Sequence, residues 1–548
     1  MILFLVISLT VSCKKEVVYS VSFDTVGGSA ISSISVNAND KLTLPENPNF
    51  GSYDFAGWYT DADYNSLFDA NAEITSDLVL YAKWERSLKI YTVNDFHGAL
   101  EEKAAQVGEF LISSKTDNPE NTIILSSGDM FQGTGISNLN FGLDVINVMN
   151  MMGFDAMSVG NHEFDWELNT ILNYFDNNVE NGEASFPLLG CNVIEKSTGN
   201  IPLNMKPYTI VEREGLKIGI IGYIGGTLED SIATNMVENY EFLDPVSIVG
   251  SISEELRTNQ DVDLVIACGN DASQLANRDL AHLSANKKVD AIINGHTHVK
   301  SFGTLRRSSD NTKVPYVQAG SSGEAVGVIE LKLDAVNLDI EAVSAYNKNI
   351  VATAKKNVQI QNYVNELIED TSGYFERVIG VSGRDLTIGE CATWACNAIL
   401  DYCVNNYGGC DVAFTNIGGI RENAFPINEG DEITVSRVFK IMPFDNFIKI
   451  SNIKGSVLRT LLTLTNSELA HSSDSVVIKG ASVYINGSLI DDDSYYKVAV
   501  VDYIFDKETY PFNKGENINV TGKLLRDILI ENIEEATKNG KKCFMGEE

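Results

Sequence analysis

Short apolar runs that end in Asp, Asn or His recur between residues 86 and 300. GNHEFD at 160–165 is the clearest case, and it follows SGD at 127–129 by about one helix and one strand. DFH at 95–97 lies upstream and GHTH at 295–298 lies downstream. Asp, Asn and His at strand ends are what a hydrolase with two metal ions needs. The pattern therefore predicts an α/β fold that carries a metal centre, and it favours a phosphoesterase.

The apolar runs before these motifs are short and rich in β-branched residues, which is typical of buried strands. Amphipathic segments such as Leu143–Met152 lie between them and are expected to be helices. Residues 86–345 are therefore predicted to form a layered α/β domain. The predicted strands are Ser87–Val93, Thr122–Leu125, Lys217–Ile221, Leu264–Ala267 and Ala291–Ile293.

The rest of the chain divides on either side of this domain. Residues 353–369 carry apolar side chains at helical spacing and predict a helix within a linker at 346–374. Residues 375–548 have mixed α+β character and are expected to form a substrate-binding domain. A chain of 548 residues exceeds one hydrophobic core, so about three domains are expected.

Residues 19–85 form a separate unit that alternates polar and apolar residues between turn signals, which predicts a small β-rich module. FDTVGG at 23–28, FAGWY at 55–59 and LYAKW at 80–84 resemble the Listeria–Bacteroides repeat of bacterial surface proteins. The resemblance implies either a spacer or a ligand-binding, adhesive role. Trp58 and Trp84 are expected in its core.

Residues 1–12, MILFLVISLTVS, are almost wholly apolar but too few to span a bilayer as a helix. They match the apolar part of an export signal. Ser12 and Cys13 resemble the lipobox of bacterial lipoproteins, whose cysteine carries the lipid and becomes the mature N-terminus. The resemblance implies an exported surface lipoprotein that is anchored to the outer face of the membrane only through Cys13, with 1–18 as signal and tether. Simple secretion and a cytosolic location are the alternatives.

The charge of the chain restricts its partners. With 75 acidic and 41 basic residues the net charge is −34. Such a surface repels nucleic acid and anionic lipid, so we expect no nucleic-acid partner. The cysteines after Cys13 leave two alternatives open, buried free thiols or disulfides permitted by export. Those that lie close enough in sequence to pair are Cys391, Cys396, Cys403 and Cys410.

The motif residues are spaced so that they can share ions. Residues two apart on a strand face the same way, so Asp95 and His97 can reach one ion. His296 and His298 have the same spacing. Gly128 permits a sharp backbone turn before Asp129. Of the six histidines in the chain, four fall in these motifs, which argues against chance placement.

The motifs resemble those of the calcineurin-like metallophosphoesterases, and more closely those of the bacterial and animal 5′-nucleotidases. The longest match is SSGDMFQGTGISNLNFGLDVINVMNMMGFDAMSVGNHEFD at 126–165. The resemblance implies a metallophosphoesterase domain with two divalent ions, which could be Mn, Mg, Zn or Ca. It assigns to the first ion Asp95, His97, Asp129 and His298, and to the second ion Asp129, Asn161 and His296.

One ligand position departs from this family. Asn270 stands where a histidine ligand of the second ion is expected, at the end of the strand-like run DLVIACGN. An amide oxygen is a harder and weaker donor than imidazole, so a weakened second site is expected. By the same resemblance His162 and Asp165 form the catalytic dyad. His162 would stabilise the transferring phosphoryl group or the leaving oxygen, while metal-held water attacks phosphorus and Asp165 favours protonated His162.

The C-terminal part carries matching substrate motifs. FTNIGGIR at 414–421 and MPFDN at 442–446 resemble the NxGGIR and PFxN motifs of the 5′-nucleotidase C-terminal domain. The substrate-binding residues implied are Asn416, Gly419, Arg421, Phe444 and Tyr503. Arg421 would bind phosphate, and the two rings would stack a base. A family arginine is missing near Gly389, and FDKETY at 505–510 replaces a glycine-rich segment.

The leading function implied is an extracytoplasmic 5′-nucleotidase, with 2′,3′-cyclic nucleotides or UDP-sugars as further substrates. A different class is a catalytically weakened surface lipoprotein that binds nucleotides or acts as an adhesin. A third alternative keeps the enzyme and changes its substrate to another phosphate ester or a thiosulfate ester. No protein partner is implied.

Overall fold

The computed structural model describes residues 17–271, 273–463 and 468–544 of the chain. It divides into two compact units, Met1–Leu88 with Glu330–Val343, and Lys89–Ile329 with Ser344–Glu548. Cys13, the predicted lipidation site, lies outside the described residues. Within the described ranges, no helix is both long enough and apolar enough to cross a membrane.

The first unit is rich in strands, as its alternating sequence predicts. Val18–Asp24 pairs antiparallel with Ile34–Asn37 and parallel with the first residues of Leu78–Val93. Asp54–Tyr59 pairs antiparallel with Leu78–Val93. The side chains of Trp58 and Trp84 are only 3% and 4% exposed, which confirms that both tryptophans belong to the core.

The second unit begins with two sheets that pack face to face. Ser158 Oγ donates to Cys268 O, and Ser127 Oγ donates to Asn294 O, so hydrogen bonds join the sheets. In spatial order, the first sheet contains Ile340–Asn349, Ala325–Asp334, Leu78–Val93, Thr122–Ser126, Ala156–Ser158, Leu188–Leu189 and Met205–Lys206. The second sheet contains Tyr208–Arg213, Leu216–Ile224, Leu264–Asn270, Ala291–Asn294, Lys313–Ala319 and Lys300–Arg306.

The central strands of both sheets are parallel, so their carboxyl ends lie at a common edge. A pair of short strands, Val193–Glu195 and Tyr240–Phe242, lies apart from them. The predicted strands are confirmed, most of them longer by one to three residues. The helices of this half are Leu100–Asp117, Gly135–Leu139, Leu143–Met152, Leu168–Leu172, Thr234–Val237, Pro245–Asn259 and Gln274–Ala281.

The linking helix is Val358–Phe375, so its predicted start at residue 353 is wrong. The side chain of Asn357 accepts hydrogen bonds from Gln359 N at 3.1 Å and Ile360 N at 3.2 Å. These bonds satisfy the first free N–H groups of the helix and fix its start. Ile360 and Val364 are buried on the face that packs against the helix Leu100–Asp117. That helix belongs to the part of the second unit that precedes the linking helix, which we call the phosphoesterase-like half.

The C-terminal part has the predicted α+β character. Its main sheet contains, in spatial order, Leu469–His471, Val412–Asn416, Tyr495–Val501, Phe447–Lys454 and Glu516–Leu524. Smaller sheets pair Val378–Val381 with Glu432–Thr434 and join Val476–Lys479, Ser482–Ile485 and Ser488–Leu489. The helices are Ile388–Tyr407, Val435–Ile441, Gly455–Thr463, Asp502–Phe505 and Leu525–Lys538.

The described cysteines, Cys191 to Cys543, are all free thiols. Of the two alternatives, free thiols and disulfides, the described residues show free thiols. All but the half-buried Cys410 are buried. Burial raises the pKa of the Cys391 thiol to about 12, which makes it a poor nucleophile.

Candidate metal centre and active-site cavity

The predicted ligands lie at the common edge where strands of the two sheets end. Each motif follows its strand by no more than a few residues, so the fold brings together side chains that are distant in sequence. They are Asp95 and His97 after Leu78–Val93, Asp129 after Thr122–Ser126, Asn161 after Ala156–Ser158, Asn270 at the end of Leu264–Asn270, and His296 and His298 after Ala291–Asn294.

Five of these residues have left-handed backbone conformations, which side-chain-bearing residues rarely adopt. Asp95 and His97 have φ of 49° and 52°, so they lie in a loop beyond the strand. The loop conformation therefore brings both side chains to the same group of ligands. The prediction that strand alternation would do so is wrong. The other three φ values are 56° for Asp129, 84° for His296 and 58° for His298. Clustered backbone strain of this kind is typical of functional sites.

Asp95, His97 and His298 form one compact group, with ligand atoms within 4.8 Å of one another. The Nε2 atoms of His97 and His298 are 3.0 Å apart. His97 Nδ1 lies 2.9 Å from the carbonyl oxygen of Gln132 and must donate to it. His97 therefore presents its Nε2 lone pair to the group, and this donor set fits a divalent cation.

The pKa values of these groups reflect burial and crowding. Burial lowers the pKa of His97 well below its usual value, and burial with the charge of Arg421 lowers that of His298 to about 4. Both imidazoles are thus neutral at pH 7 and can act as ligands. Burial, followed by the charge of Asp129, raises the pKa of Asp95. A bound cation would stabilise the ionised carboxylate and lower this pKa again.

Asp129 links this group to the remaining candidates. Its Oδ1 accepts from His162 N at 2.9 Å, and its Oδ2 accepts from Asn270 Nδ2 at 3.1 Å. Burial would raise the pKa of Asp129, but nearby histidines, His162 first, lower it to about 2. His296 Nδ1 lies 2.9 Å from Asn161 Oδ1. Asn270 is fully buried, and its Oδ1 has no hydrogen-bond partner among the described residues.

Glu163 is a buried residue that the sequence reasoning passed over, although it lies inside the GNHEFD run. Its carboxylate accepts from the backbone N–H groups of Asp129, Met130 and Gly160 at 2.7–3.0 Å. Burial, with the charge of Asp129, raises its pKa to about 7. Glu163 therefore ties together the two loops that carry Asp129 and His162.

His162 is positioned by an acidic and a basic neighbour. Its Nδ1 lies 2.8 Å from Asp165 Oδ2, and its Nε2 lies 3.3 Å from an Arg421 nitrogen. Burial lowers the pKa of His162, but the carboxylates of Asp165 and Asp129 outweigh this effect and raise it above the usual value. Asp165 thus both orients the ring and favours its protonated form.

A cavity of about 420 Å³ opens beside these groups and receives side chains from both halves of the second unit. Of the predicted substrate residues, Asn416, Arg421, Phe444 and Tyr503 line it. Gly419 does not, and Gly418 lines the wall in its place. The residues contributed by the phosphoesterase-like half are Asn161, His162, Asp165, Ser231, Ala233, Met236, His296, Thr297 and His298.

Arg421 and Phe444 stack beside His162 at one end of the cavity. The guanidinium carbon of Arg421 is 4.6 Å from the Phe444 ring centroid. The Phe444 and His162 rings are 5.6 Å apart with planes inclined by 26°. A cation and an aromatic face thus lie directly beside the metal-ligand groups.

Tyr503 occupies the C-terminal wall in contact with Lys507. Lys507 Nζ lies 4.3 Å from the Tyr503 ring centroid and donates to the Tyr503 hydroxyl at 3.0 Å. The adjacent Asp502 also lines the cavity, and its burial raises its pKa to about 6. Sequence reasoning missed Lys507 and Asp502, since neither belongs to a shared motif.

The carbonyl oxygen of Pro443 fastens the two halves of the second unit beside the cavity. Gln132 Nε2 and Asn138 Nδ2, both from the phosphoesterase-like half, donate to it at 2.7 Å and 2.9 Å. Arg526, from the C-terminal helix, donates at 3.0 Å. Trp166 Nε1 also donates to Asp445 at 3.2 Å. Gln132 lies in the GDMFQGT run, which is the one sequence signal for this contact.

Comparison with protein families identifies three segments of the chain. Residues 19–83 match the Listeria-Bacteroides repeat domain. Residues 88–300 match the calcineurin-like phosphoesterases, and residues 371–514 match the 5′-nucleotidase C-terminal domain.

Individual proteins agree with these matches. A snake venom 5′-nucleotidase of Naja atra is 28% identical over 400 residues, which cover 67% of this chain and 72% of that protein. The cell wall protein Lmo0130 of Listeria monocytogenes is 25% identical over 76% of this chain and 60% of its own length. The crystal structure of a 5′-nucleotidase precursor from Thermus thermophilus has a TM-score of 0.68 at 21% identity, covering 82% of this chain and 96% of that one, which shows a shared fold.

Proposed function

Because the chain is a metal-dependent phosphoester hydrolase that joins a calcineurin-like phosphoesterase domain to a 5′-nucleotidase C-terminal domain, we propose that it hydrolyses nucleoside 5′-monophosphates. The observation that carries the proposal is that Arg421 from the C-terminal part lies 3.3 Å from His162 in the same cavity. Groups suited to a phosphate and groups suited to a base therefore belong to one site.

We propose that this site holds divalent ions in two adjoining donor sets. The first set consists of Asp95, His97, Asp129 and His298. The second consists of Asp129, Asn161, Asn270 and His296. When bound, the ions supply Lewis acidity toward phosphate oxygens and water. Glu163 and Gln132 position the donors, since their hydrogen bonds hold Asp129 and His97 in place.

His162 acts in this proposal as the charged donor to the phosphoryl group or the leaving oxygen. Its raised pKa keeps the ring protonated further toward neutral pH than a free imidazole. Asp165, 2.8 Å from Nδ1, holds the ring so that Nε2 faces the cavity beside Arg421. A positive group in this position stabilises the negative charge that develops in the transition state.

The substrate is proposed to lie across the cavity from the metal donors to the C-terminal wall. Arg421 offers a planar pair of donors to phosphate. Phe444 and Tyr503 offer aromatic faces to the base, while Asn416 and the Gly418 backbone approach the nucleoside. Asn416 Oδ1 is buried without a partner among the described residues, so it can accept a hydrogen bond from a ligand.

We further propose that the enzyme acts outside the cytoplasm as a surface lipoprotein. The Listeria-Bacteroides repeat at 19–83 and the similarity to a Listeria cell wall protein support a surface location. The lipid anchor rests on Cys13 and the apolar residues before it. Mass spectrometry of the membrane-extracted protein would detect a lipidated Cys13 at its N-terminus, and an intact residue 1–12 segment would contradict the proposal.

The activity is tested by phosphate release from AMP with Mn²⁺, for the native chain and for His162→Ala. We expect release by the native chain and a loss of roughly 10²–10⁴-fold in the variant. A panel of 2′,3′-cyclic nucleotides, UDP-sugars and thiosulfate esters ranks the substrate classes. Binding of AMP without turnover by the native chain would instead support the surface nucleotide-binding alternative, which the Asn270 amide favours.

A further inference from the structure

The two donor sets of the metal centre differ in what their atoms face. In the first set, the His97 Nε2 lone pair points at His298 Nε2 3.0 Å away, and His298 Nε2 lies 3.6 Å from Asp95 Oδ1. Two neutral imidazoles and two carboxylates converge there, and a dication satisfies all four groups at once. The first set is therefore stabilised by a bound cation.

In the second set, hydrogen bonds already occupy the side of Asp129 that an ion would need. Asn270 Nδ2 donates to Asp129 Oδ2 at 3.1 Å, and the His296–Asn161 contact of 2.9 Å pairs a ring nitrogen with an amide oxygen. The shared carboxylate is thus satisfied on this side by a proton donor, while Asn270 Oδ1 has no hydrogen-bond partner among the described residues. An imidazole at position 270 would offer a lone pair there.

The orientation of the Asn270 amide follows from its neighbours. Nδ2 lies 3.1 Å from Asp129 Oδ2 and 3.1 Å from the carbonyl oxygen of Ser127. Both neighbours accept hydrogen bonds only, so the reversed amide would place three oxygens against one another. An ion at Asp129 Oδ2 must therefore displace an amide proton from a charged acceptor, which weakens its binding by roughly ten- to a hundredfold.

The charge of the second set adds to this penalty. Asp129 is its sole carboxylate, and the first set shares it. The other three members, Asn161, Asn270 and His296, are neutral donors. A second dication in the free protein would thus add two uncompensated positive charges to a buried site. A phosphate dianion offsets both of them and also supplies oxygen ligands.

We infer that the centre keeps one resident ion, in the first donor set, and that the second set takes up its ion only together with a phosphate group. Asn270 is the residue that makes this uptake conditional. The inference rests on the proposed function for the presence of a phosphate in the site. Because linkage is reciprocal, the second ion and the phosphate increase each other's affinity by the same factor.

The test is the number of ions bound per chain, measured by mass spectrometry after equilibrium dialysis against micromolar Mn²⁺ with and without inorganic phosphate. We expect close to one ion per chain without phosphate and close to two with it. Two ions without phosphate would overturn the inference, as would one ion under both conditions.

Asn270→Asp tests the assigned residue with almost no change of shape. It removes the amide protons and adds a carboxylate, so we expect two ions per chain without phosphate. Asn270→His is a second variant, to be used if Asn270→Asp does not fold. For it, too, we expect two ions per chain without phosphate. Asn200→Asp adds the same charge at an exposed position and should bind like the native chain. A native-like count for folded Asn270→Asp would contradict the inference.

These measurements separate the inference from the proposed function. Inorganic phosphate binding and metal counts do not require that AMP be hydrolysed. If AMP is not a substrate but phosphate still recruits a second ion, the inference stands and the nucleotidase proposal fails. If AMP is hydrolysed and two ions are resident without phosphate, the reverse holds.

Discussion

The metal-ligand edge and the C-terminal wall of the cavity are built by different means. At the edge, the ends of parallel strands from two sheets deliver each ligand, and buried groups such as Glu163 fix the loops at three points. At the wall, Asn416 ends the strand Val412–Asn416 and Tyr503 lies in the four-residue helix Asp502–Phe505. The other wall side chains come from two loops and rest on one another. Arg421 contacts Phe444 and His162, and Tyr503 contacts Lys507.

The difference indicates where chemistry and selectivity reside. Bound ions tolerate little error in ligand position, so their residues require a rigid scaffold of strand ends. Recognition of a nucleoside tolerates adjustment and can depend on residues outside any shared motif. We therefore expect changes at the edge to abolish activity for every substrate, and changes at wall residues that face the base to alter it for some substrates.

The largest effect is expected for Asp129→Asn. Asp129 belongs to both donor sets, and its neutral replacement removes the charge that both ions share. We expect at least about a 10³-fold loss of turnover with AMP and with ribose 5-phosphate alike, since a metal ion contributes several kcal/mol to the transition state. Turnover on both substrates is compared with the bound metal count. Activity within tenfold of native would break the proposed division between edge and wall.

Arg421→Met should have the next largest effect. It keeps an unbranched side chain of similar length beside Phe444 and removes the guanidinium that stacks on the ring and faces the phosphate. Loss of a charge-assisted hydrogen bond of about 1.5–3 kcal/mol predicts roughly a ten- to 150-fold fall in kcat/KM, shared by AMP and ribose 5-phosphate. Steady-state kinetics on both substrates measure it. A loss confined to AMP would assign Arg421 to the base.

Sequence reasoning is most successful at the edge. Alternating strands and helices predict the layers, and strand-end motifs at 95–97, 127–129, 160–165 and 295–298 predict which side chains meet. It wrongly explains by strand alternation why Asp95 and His97 reach one group, because a left-handed loop conformation cannot be recognised from these residue types. It also starts the linking helix too early, since the capping role of Asn357 depends on the conformation of that residue.

At the wall, sequence reasoning identifies Arg421, Phe444 and Tyr503 but not their neighbours. Lys507 meets Tyr503 across one turn of chain, and the Pro443 carbonyl meets Gln132 and Asn138 across more than 300 residues. Backbone acceptors have no sequence signature, and a lysine that covers an aromatic ring looks like any surface lysine. The buried state of Asp502 is hidden for the same reason, because burial is a property of the packed chain.

Tyr503→Leu tests the wall alone. Base–aromatic stacking contributes roughly 1–3 kcal/mol, so kcat/KM for AMP should fall about five- to 150-fold, mainly through KM. Ribose 5-phosphate has no base, so its kinetics should not change. Tyr503→Phe keeps the ring and loses only the hydroxyl contact with Lys507, so it is the matched control. Equal losses for both substrates would place Tyr503 outside base recognition.

The smallest effect is expected at Asp502, on stability. Burial raises its pKa to about 6 from 3.8, so between these pH values the folded chain binds more protons than the unfolded chain. The free energy of unfolding must then fall as pH rises from about 4 to 6, by up to about 3 kcal/mol. Asp502→Asn keeps the acceptor for Tyr503 N and cannot ionise, so its stability should exceed that of the native chain above pH 6.

Thermal unfolding of both chains between pH 4 and 8 measures this gap, which should amount to a few degrees in so large a unit. Asp493→Asn is the control, since the side chain of Asp493 is 91% exposed and should produce no such gap. Parallel curves for the native chain and Asp502→Asn would show that Asp502 is solvated in solution. The wall would then open to water beside Tyr503, and the contrast with the fully buried Asp129 and Glu163 at the edge would become sharper.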